Sequence, residues 1–455
     1  MKRNTEYVEI DYSELPQEPD HSFPQTWGQH SVWQGLVHFG QDANLLNVGL
    51  QWRLPGGVTM PTVLGALADL VRAHATLRTV FQETHEGPAQ KVTQPTKVPV
   101  EIVDIAGETR ESVYGEVQES LATVFDHTQG PQFTFMVFTD HGVPRFVFPN
   151  ISHLAVDRQG LKVLETSFLK FVDGQHVPPG EAYWQPFDQV QLENTRLVRS
   201  KGQRACDQWS RALQRTGPHL WGAPRLEGED VPIIHAKMTS YRAAKALPAA
   251  VTRHKAIAGS VLLAAISAAV AAVTGHDGHA AVEIVFANRY LHRADEYAGP
   301  LAQGGVIAAP CSSAGTLAEM VQSINADMPR AYLSAYWPPS SLQASLRDCG
   351  FDAIHDRVTS FLFNNFITEA RAFEPHDRQV TEDTVFEWLP SWNYMPSHCS
   401  FRIGYDDEKR IFVTARVNSR LLSRSMLTRL LSGVESALQA MAEGNSVRAG
   451  DLPLD

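Results

Sequence analysis

The sequence predicts a protein of two α/β lobes, on the grounds of its length, its composition and its mixture of two hydrophobic periodicities. The chain has 455 residues, 43% of them hydrophobic and 20% charged, as in ordinary globular proteins. A single hydrophobic core stops growing well below this length, so more than one domain is expected. Segments with strand periodicity and segments with helix periodicity alternate along both halves of the chain, which favours two lobes that each combine a sheet with helices.

Charge and cysteine content limit the expected partners and the expected cellular compartment. The net charge of −11 argues against binding to nucleic acid or an anionic membrane through the whole surface, although a local basic patch is compatible with it. The four cysteines, Cys206, Cys311, Cys349 and Cys399, have neither metal-ligand nor disulfide spacing, so we expect free thiols in a reducing compartment. The polar N-terminus lacks the apolar core of a signal peptide, and a cytoplasmic protein is predicted.

The first half of the chain is predicted to alternate strands and helices. Strands are predicted where apolar and β-branched residues end at Gly or Pro turns, at 47–54, 79–84, 132–139 and 145–151, the last two as a hairpin. Helices are predicted at 61–74, which Pro61 opens, and at 110–122, 158–172 and roughly 188–215. The Gly-, Pro- and charge-rich segment 217–231 indicates a boundary, so the predicted lobes are 1–215 and 216–455.

The second half repeats this mixture of elements. Strands are predicted at 234–242, 282–287, 304–309, 358–366, 400–405 and 411–417, and helices at 248–254, 256–273, 316–332 and 423–443. The Ala-rich segment 256–273 contains Ser260 and Ser267 and is short of the roughly 20 strongly apolar residues of a membrane span, so a buried core helix is predicted. The segment 275–279 contains two histidines and an aspartate, but its position after that helix favours a solvated turn, and no metal site is predicted.

A histidine at the end of a strand is the candidate catalytic group. The segment Ile151-Ser-His-Leu-Ala-Val-Asp-Arg-Gln-Gly160 places His153 directly after a predicted strand and Asp157 where the next helix begins. An imidazole can exchange a proton near neutral pH, and an aspartate there can cap the helix. The same HxxxD spacing occurs from His38 to Asp42 in a segment without a clear element, so the local pattern alone also fits a structural histidine beside a capping aspartate.

The segment around His153 resembles the HHxxxDG motif of condensation domains from nonribosomal peptide synthetases and related acyltransferases. Further similarities follow in the order of that family. They comprise Phe23-Pro-Gln-Thr-Trp-Gly-Gln-His-Ser-Val-Trp33, Leu70-Val-Arg-Ala-His-Ala-Thr-Leu-Arg-Thr-Val-Phe81, Phe286-Ala-Asn-Arg289 with Tyr297-Ala-Gly-Pro-Leu301, Ser360-Phe-Leu-Phe-Asn-Asn-Phe366, and the chain from Ser400 through the closing helix. Each similarity is weak alone, whereas the ordered set covers nearly the whole chain.

The resemblance implies two chloramphenicol-acetyltransferase-like lobes that form a V-shaped pseudo-dimer with a tunnel between them. It also implies an acyltransferase that joins a thioester-bound acyl or aminoacyl donor to an amine or alcohol, giving an amide or ester in specialised-metabolite (antibiotic) biosynthesis. The expected donor is a phosphopantetheine thioester on an acyl or peptidyl carrier protein, or an acyl-CoA, with no permanently bound cofactor. A monomer is expected, and the absence of adenylation and carrier segments suggests a free-standing member.

Several residues carry over from the family to this sequence. His153 matches the functional histidine, and Asp157 matches an aspartate with a structural role through an arginine. Arg78 is the first choice for that arginine and Arg289 the second. The resemblance further suggests donor-channel residues, Arg158, Ser152 and Trp27, and acceptor-side residues, Asn364 and Ser400.

The departures from the family pattern mark a divergent member. Ser152 replaces the first histidine of the motif, and Arg158 replaces the glycine after the aspartate. An arginine there could narrow the donor channel or bind a phosphate of the donor, or it could indicate a non-catalytic module that recruits a carrier protein or tailoring enzyme. A third possibility, epimerisation of a carrier-bound aminoacyl group, needs a second acid or base that the sequence does not identify.

Overall fold

The chain divides into two compact units, each described here by itself. A computed structural model describes residues 1–12, 21–175, 183–216, 232–351, 358–367, 384–393, 395, 397–444 and 446–454. Unit 1 comprises Met1–Arg199 and Ala287–Ala302, and unit 2 comprises Ser200–Phe286 and Gln303–Asp455. The segment 217–231, on which the predicted lobe boundary rests, lies outside the described residues, and that boundary stays a prediction.

Unit 1 contains a six-stranded and a three-stranded sheet. The larger sheet has the order β1-β7-β8-β9-β3, with β4 also paired to β9, and the smaller one has the order β2-β6-β5. The strands are β1 Lys2–Glu9, β2 Phe23–Pro24, β3 Val48–Gly49, β4 Trp52–Arg53, β5 Thr79–Thr84, β6 Gly87–Val92, β7 Lys97–Asp104, β8 Phe133–Asp140 and β9 Val143–Ile151.

Two helices cover one face of the larger sheet because their apolar residues recur at helical spacing. Val63, Leu67 and Leu70 of one helix and Leu161, Leu164 and Phe168 of the other are buried in one core with Phe135 and Val137 of the sheet. A third helix packs on the opposite face. The helices are α1 Trp27–Phe39, α2 Met60–Ala73, α3 Arg110–Leu121, α4 Arg158–Val172 and α5 Pro186–Glu193; α6 Arg196–Thr216 leads from unit 1 into unit 2, and short 3₁₀ helices occur at Gly40–Leu46 and Ala75–Arg78.

Unit 2 is built on one seven-stranded sheet of order β12-β11-β13-β15-β16-β10-β14. Its strands are β10 Ile233–Ser240, β11 Asp277–Phe286, β12 Gln303–Ser312, β13 Phe361–Asn365, β14 Val385–Trp392, β15 Cys399–Tyr405 and β16 Ile411–Asn418. Its helices are α7 Tyr241–His254, α8 Ala258–Thr274, α9 Leu317–Leu333, α10 Pro339–Asp348 and α11 Arg424–Glu443, with a 3₁₀ turn at Ala449–Asp451.

Helix α8 is the centre of the core of unit 2. Nearly all of its side chains are buried, among α7, α9, α11 and the sheet, which confirms the predicted core helix. No single helix of the described chain is long and apolar enough to cross a membrane; α7 and α8 together meet the length and composition criteria but are bent by 107° relative to each other.

The differences from the sequence prediction have identifiable causes. The predicted strand 47–54 is split into β3 and β4, both paired with β9, because Pro149 of β9 has no N–H to donate between them. Strand β1 was not predicted because its residues are mostly polar, yet all eight pair with β7. The helix predicted at 158–172 is confirmed with the same bounds.

Candidate active site

His153 lies in a tight turn between β9 and α4. The turn is fixed on its strand side by Ser152, whose N–H donates to the carbonyl of Gln132 at 2.9 Å and whose own carbonyl accepts from the N–H of Ala155 at 2.9 Å. His153 is half-buried, and its Nδ1 is shielded from solvent without a hydrogen-bond partner among the described residues. The histidine is therefore held by its backbone, and no carboxylate of the described residues orients its imidazole through Nδ1 as in a catalytic triad.

Ser152, in place of the first histidine of the family motif, is buried and hydrogen-bonded. Its hydroxyl lies 2.8 Å from Nε2 of His127 and also accepts from the N–H of Leu154 at 3.3 Å. Burial lowers the pKa of His127, an effect that the nearby Asp126 carboxylate partly offsets. A neutral imidazole and a hydroxyl thus support the turn from behind, while the predicted donor-channel role of Ser152 stays a prediction.

Asp157 is a buried carboxylate with donors at both oxygens. Oδ1 accepts from the N–H of Gly160 at 2.7 Å, which caps α4, and from the guanidinium of Arg289. Oδ2 accepts from the N–H groups of Leu301 at 2.9 Å and Ala302 at 3.1 Å. Four donors on one carboxylate explain how it is accommodated at 1% exposure, and they give Asp157 a structural role in the turn that carries His153.

Of the two arginines considered for Asp157, the structure pairs it with Arg289. Nη1 of that guanidinium also donates to the carbonyl groups of Ala294 at 2.9 Å and of Tyr297, and Nη2 donates to that of Gly299 at 3.2 Å, all in the same loop. Arg289 therefore ties the segment 287–302 to Asp157, and this segment belongs to the same compact unit as the turn.

The first choice, Arg78, was wrong as the partner of Asp157. Its buried guanidinium donates to the carbonyl groups of Val71 at 2.9 Å, Thr93 at 3.0 Å and Arg72 at 3.1 Å, so it binds the end of α2 to the chain after β6. The choice failed because both arginines lie in segments that resemble the family, and only their tertiary contacts distinguish them. A guanidinium that satisfies backbone carbonyls is not distinguishable in sequence from one that satisfies a carboxylate.

Two glycines that sequence reasoning did not single out allow the segment 287–302 to approach α4 and α1. A Cβ on Gly160 would lie 1.8 Å from the carbonyl oxygen of Ala298, and one on Gly28 would lie 2.1 Å from that of Pro300. The available signal was glycine within the first turn of a helix, where it is otherwise unfavourable. These close backbone contacts hold the segment 287–302 against the first turns of α4 and α1.

The remaining predicted residues of unit 1 lie at two helix starts. Arg158 is the first residue of α4 and is exposed, although partial desolvation by its neighbours lowers its pKa. Trp27 begins α1, is half-buried, and donates its N–H to Oε2 of Glu193 at 2.9 Å. His38 of the second HxxxD pattern lies on α1, and its side chain and that of Asp42 lie outside the described residues. The donor-channel roles of Arg158 and Trp27 stay predictions.

Asn364 and Ser400 lie on neighbouring strands of unit 2. In the parallel pairing of β13 with β15, Ser400 is opposite Leu362 and Asn364 is opposite Arg402, so all four share the sheet face turned away from Phe363 and Phe401 in the core. Both predicted residues are half-buried. The shared face is compatible with a joint role, and their assignment to the acceptor side stays a prediction.

Sequence reasoning also missed Glu283, on the same sheet face. It is opposite Leu362 in the pairing of β11 with β13, and its carboxyl group lies over Gly304 of β12. Desolvation raises the pKa of the Glu283 carboxyl to about 7. Glycine in a strand was the available signal, since it often marks a place where another group approaches the backbone closely.

Comparison with known proteins identifies the family. The family model described as "Condensation domain" matches residues 26–451. Similar solved structures include the first condensation domain of the calcium-dependent antibiotic synthetase in complex with a substrate analogue, with a TM-score of 0.70 and 16% identity over 96% of this chain and 100% of that one. The X-domain from teicoplanin biosynthesis has a TM-score of 0.71 and 15% identity over 97% and 99% of the two chains.

A third similar structure concerns condensation domain-mediated chain release from the enacyloxin polyketide synthase. Its TM-score is 0.72 at 17% identity, over 98% of this chain and 88% of that one. The chain belongs to the condensation-domain family, whose members are generally acyltransferases, and the predicted two-lobed, chloramphenicol-acetyltransferase-like fold is confirmed. Identities this low are informative about the fold alone.

Proposed function

We propose that this protein joins a thioester-bound acyl or aminoacyl group to an amine or alcohol, forming an amide or ester in specialised-metabolite biosynthesis, with His153 as the general base. The observation that carries the proposal is a half-buried imidazole held by a backbone turn whose adjacent carboxylate is already occupied. Nδ1 of His153 is shielded, which leaves Nε2 as the nitrogen that meets the acceptor.

The proposed reaction proceeds by nucleophilic attack on the thioester. Nε2 of His153 takes the proton of the acceptor as its nitrogen or oxygen forms a bond to the carbonyl carbon. The tetrahedral intermediate then collapses, the carbon–sulfur bond breaks, and the leaving thiolate takes the proton from the imidazolium. Asp157 takes no part in the proton transfer, because its two oxygens are bound by four donors. Its function in this proposal is to hold the turn.

Arg158 is proposed to act on the donor. It replaces the glycine of the family motif one residue after Asp157, and its exposed guanidinium is suited to a phosphate of phosphopantetheine or coenzyme A. Arg158→Gly should therefore raise KM for a phosphate-bearing thioester and leave KM for a short thioester without phosphate unchanged. The donor is expected to be a carrier-protein thioester or an acyl-CoA.

The decisive experiment is detection of the product by intact mass with a panel of acyl thioesters, each presented on a carrier protein and on coenzyme A. With a productive pair, His153→Ala should lower kcat by about 10²–10⁴-fold. His85→Ala is the matched control, because His85 is a highly exposed histidine of the same unit. Full activity of the His153→Ala protein would exclude the general-base role.

Arg158 also motivates a second candidate, a non-catalytic module that recruits a carrier protein or tailoring enzyme. A guanidinium where the family has glycine would then exclude the donor from His153. The two functions differ in a complementation assay: a His153→Ala protein that restores product formation in a deletion strain supports the recruiting module, whereas failure to restore it, with normal protein levels, supports the enzyme.

A further inference from the structure

Helix α6 carries a concentration of positive charge that contrasts with the acidic chain. Its 21 residues include six cationic side chains, all exposed, and one acidic residue, Asp207, which accepts from the amide of Gln203 at 3.2 Å. Net charge over the whole chain is −11. This local excess is the basic patch that composition left open.

Four of these cations lie in one line along the helix. Lys201, Arg204, Arg211 and Arg215, named here the cationic stripe, fall within an arc of about 80° at 3.6 residues per turn and span about 21 Å at 1.5 Å per residue. All four belong to unit 2. Within the described part of the chain, no ion pair or side-chain hydrogen bond neutralises them, although Arg330 nearby is paired with Asp327 at 2.7 Å.

The opposite face of α6 anchors the helix firmly. Cys206, Trp209 and Leu213 are buried in one cluster with Trp337 and Leu342, and the rings of Trp209 and Trp337 meet edge to face at 6.1 Å. The stripe is therefore displayed on a rigid element. Substitutions on its exposed face should leave the fold intact.

A cavity opens at the C-terminal end of the stripe. Its volume is about 260 Å³, and it is lined by α6, β12 and α9 through Gln208, Arg211, Ala212, Arg215, Ile307, Ala308, Asp327 and Arg330. The buried residues Ala212, Ile307 and Ala308 thus lie beside two arginines, Arg211 and Arg215, that have no ion pair among the described residues. An apolar side chain of a partner would contact the apolar lining, and carboxylates beside it would pair with the arginines. An anchor residue on an acidic protein surface has this arrangement.

We infer that the cationic stripe and the adjoining cavity dock the acidic face of the carrier protein that delivers the donor thioester. This inference rests on the proposed function. The stripe is longer than a small anion, so one such anion could contact only part of it. A nucleic-acid backbone is also a poor match, because it has no apolar group to fill the apolar part of the cavity. The negative charge of the rest of the chain opposes non-specific binding to any polyanion, whereas a protein partner needs only local complementarity.

The test reverses the four charges of the stripe, Lys201→Glu, Arg204→Glu, Arg211→Glu and Arg215→Glu in one protein. The matched control reverses four other exposed cations, Lys170, Lys245, Arg420 and Arg429. The stripe variant should lower kcat/KM for a carrier-bound thioester at least about tenfold and leave kcat/KM for the same acyl group on N-acetylcysteamine within about twofold. The control should behave like wild type with both donors.

Three results would overturn the inference: unchanged turnover of the carrier-bound donor, equal loss with both donors, or equal loss in the control. Gln208→Trp, which fills the cavity without changing charge, should weaken carrier binding about fivefold; wild-type binding by that variant would remove the cavity from the interface. Stripe-dependent binding of a 20-base-pair DNA duplex or of vesicles with 30% phosphatidylserine, in preference to the carrier, would also overturn it.

Calorimetric binding separates this inference from the proposed function. If no thioester is turned over, titration of each holo-carrier protein of the panel into wild type and stripe variant still tests docking. Binding by wild type alone, weakened by raising the salt from 50 to 300 mM, supports the docking surface while the proposed activity fails. Absence of binding by wild type to every carrier overturns the docking surface whether or not small thioesters are turned over.

Discussion

Asp157 in unit 1, a buried carboxylate, and Glu283 in unit 2, a half-buried one, have different surroundings. Asp157 is bound by two backbone N–H groups of the segment 287–302, a helix N-terminal N–H and a guanidinium. Glu283 lies over Gly304, and desolvation is the one cause of its raised pKa within the described residues. The acceptor sites of Asp157 are therefore filled by donors, whereas desolvation disfavours the charged form of Glu283.

The contrast teaches how differently two carboxylates of one chain can be accommodated. A fully satisfied carboxylate fixes the elements that supply its donors, and breaking it is costly. A desolvated carboxylate that titrates near neutral pH is a typical property of functional groups. Asp157 thus holds the turn of His153, whereas the Glu283 carboxyl in unit 2, with its raised pKa, is a group that sequence reasoning did not identify.

The largest expected effect comes from breaking the Asp157 site. Asp157→Ala should lower the free energy of unfolding by about 3–5 kcal/mol, because it leaves the guanidinium of Arg289 without a counter-charge. The measurement is urea denaturation at pH 7. The double variant Asp157→Ala/Arg289→Met should recover part of the loss, since it removes the unpaired charge. A change below about 1 kcal/mol in the single variant would contradict the structural role.

A smaller effect is expected where Gly304 makes room for Glu283. A Cβ at position 304 would lie 2.1 Å from Oε1, 2.5 Å from Cγ and 2.7 Å from Cδ of Glu283, so that side chain must move. Gly304→Ala should cost about 1–3 kcal/mol of unfolding free energy, and less than about 1 kcal/mol when Glu283 is also alanine. Gly56→Ala is the control, since nothing lies within 4 Å of its Cβ. Additive costs in the double variant would refute the close contact.

A pH dependence is the third expected effect, and solvent screening limits its size because Glu283 is half-buried. The pKa of Glu283 in the folded protein, about 7, lies above its ordinary value of 4.5, so the folded state favours the protonated form. The stability that this provides is complete below pH 4.5 and is lost as pH rises through about 7. Glu283→Gln carries no such charge, so its stability relative to wild type should increase between these values and then level off. The same relative stability at pH 4 and pH 8, measured by thermal unfolding, would show that Glu283 is not desolvated.

Much of the fold was predictable because its signals are local. Helix α4 has the predicted bounds because an aspartate caps it and leucines recur at helical spacing. The hairpin of β8 and β9 was predictable from two apolar strands joined by the short segment Asp140-His-Gly-Val-Pro144. Strand β1 is mostly polar and acquires its structure by pairing with β7 across nearly a hundred positions, which local periodicity does not report.

The candidate site was predictable only in part. His153 and Asp157 were identified from their order relative to the strand and helix, supported by the ordered resemblance along the chain. The choice between Arg78 and Arg289 was not accessible, because it depends on which arginine meets the carboxylate in space. Glu283 was not accessible either, since its place over Gly304 depends on the pairing of two strands.

The sequence by itself determined the family, the mixed α/β character of both halves, and the turn in which His153 follows a strand and Asp157 begins a helix. These follow from periodicity, capping and motif order, all of which are properties of neighbouring residues. Tertiary structure alone decided which groups reach Asp157, why the pKa of Glu283 is raised, and which cations of α6 lie in one exposed stripe. Charge stabilisation depends on distance and solvation, and both are set by the packing of segments that lie far apart in the chain.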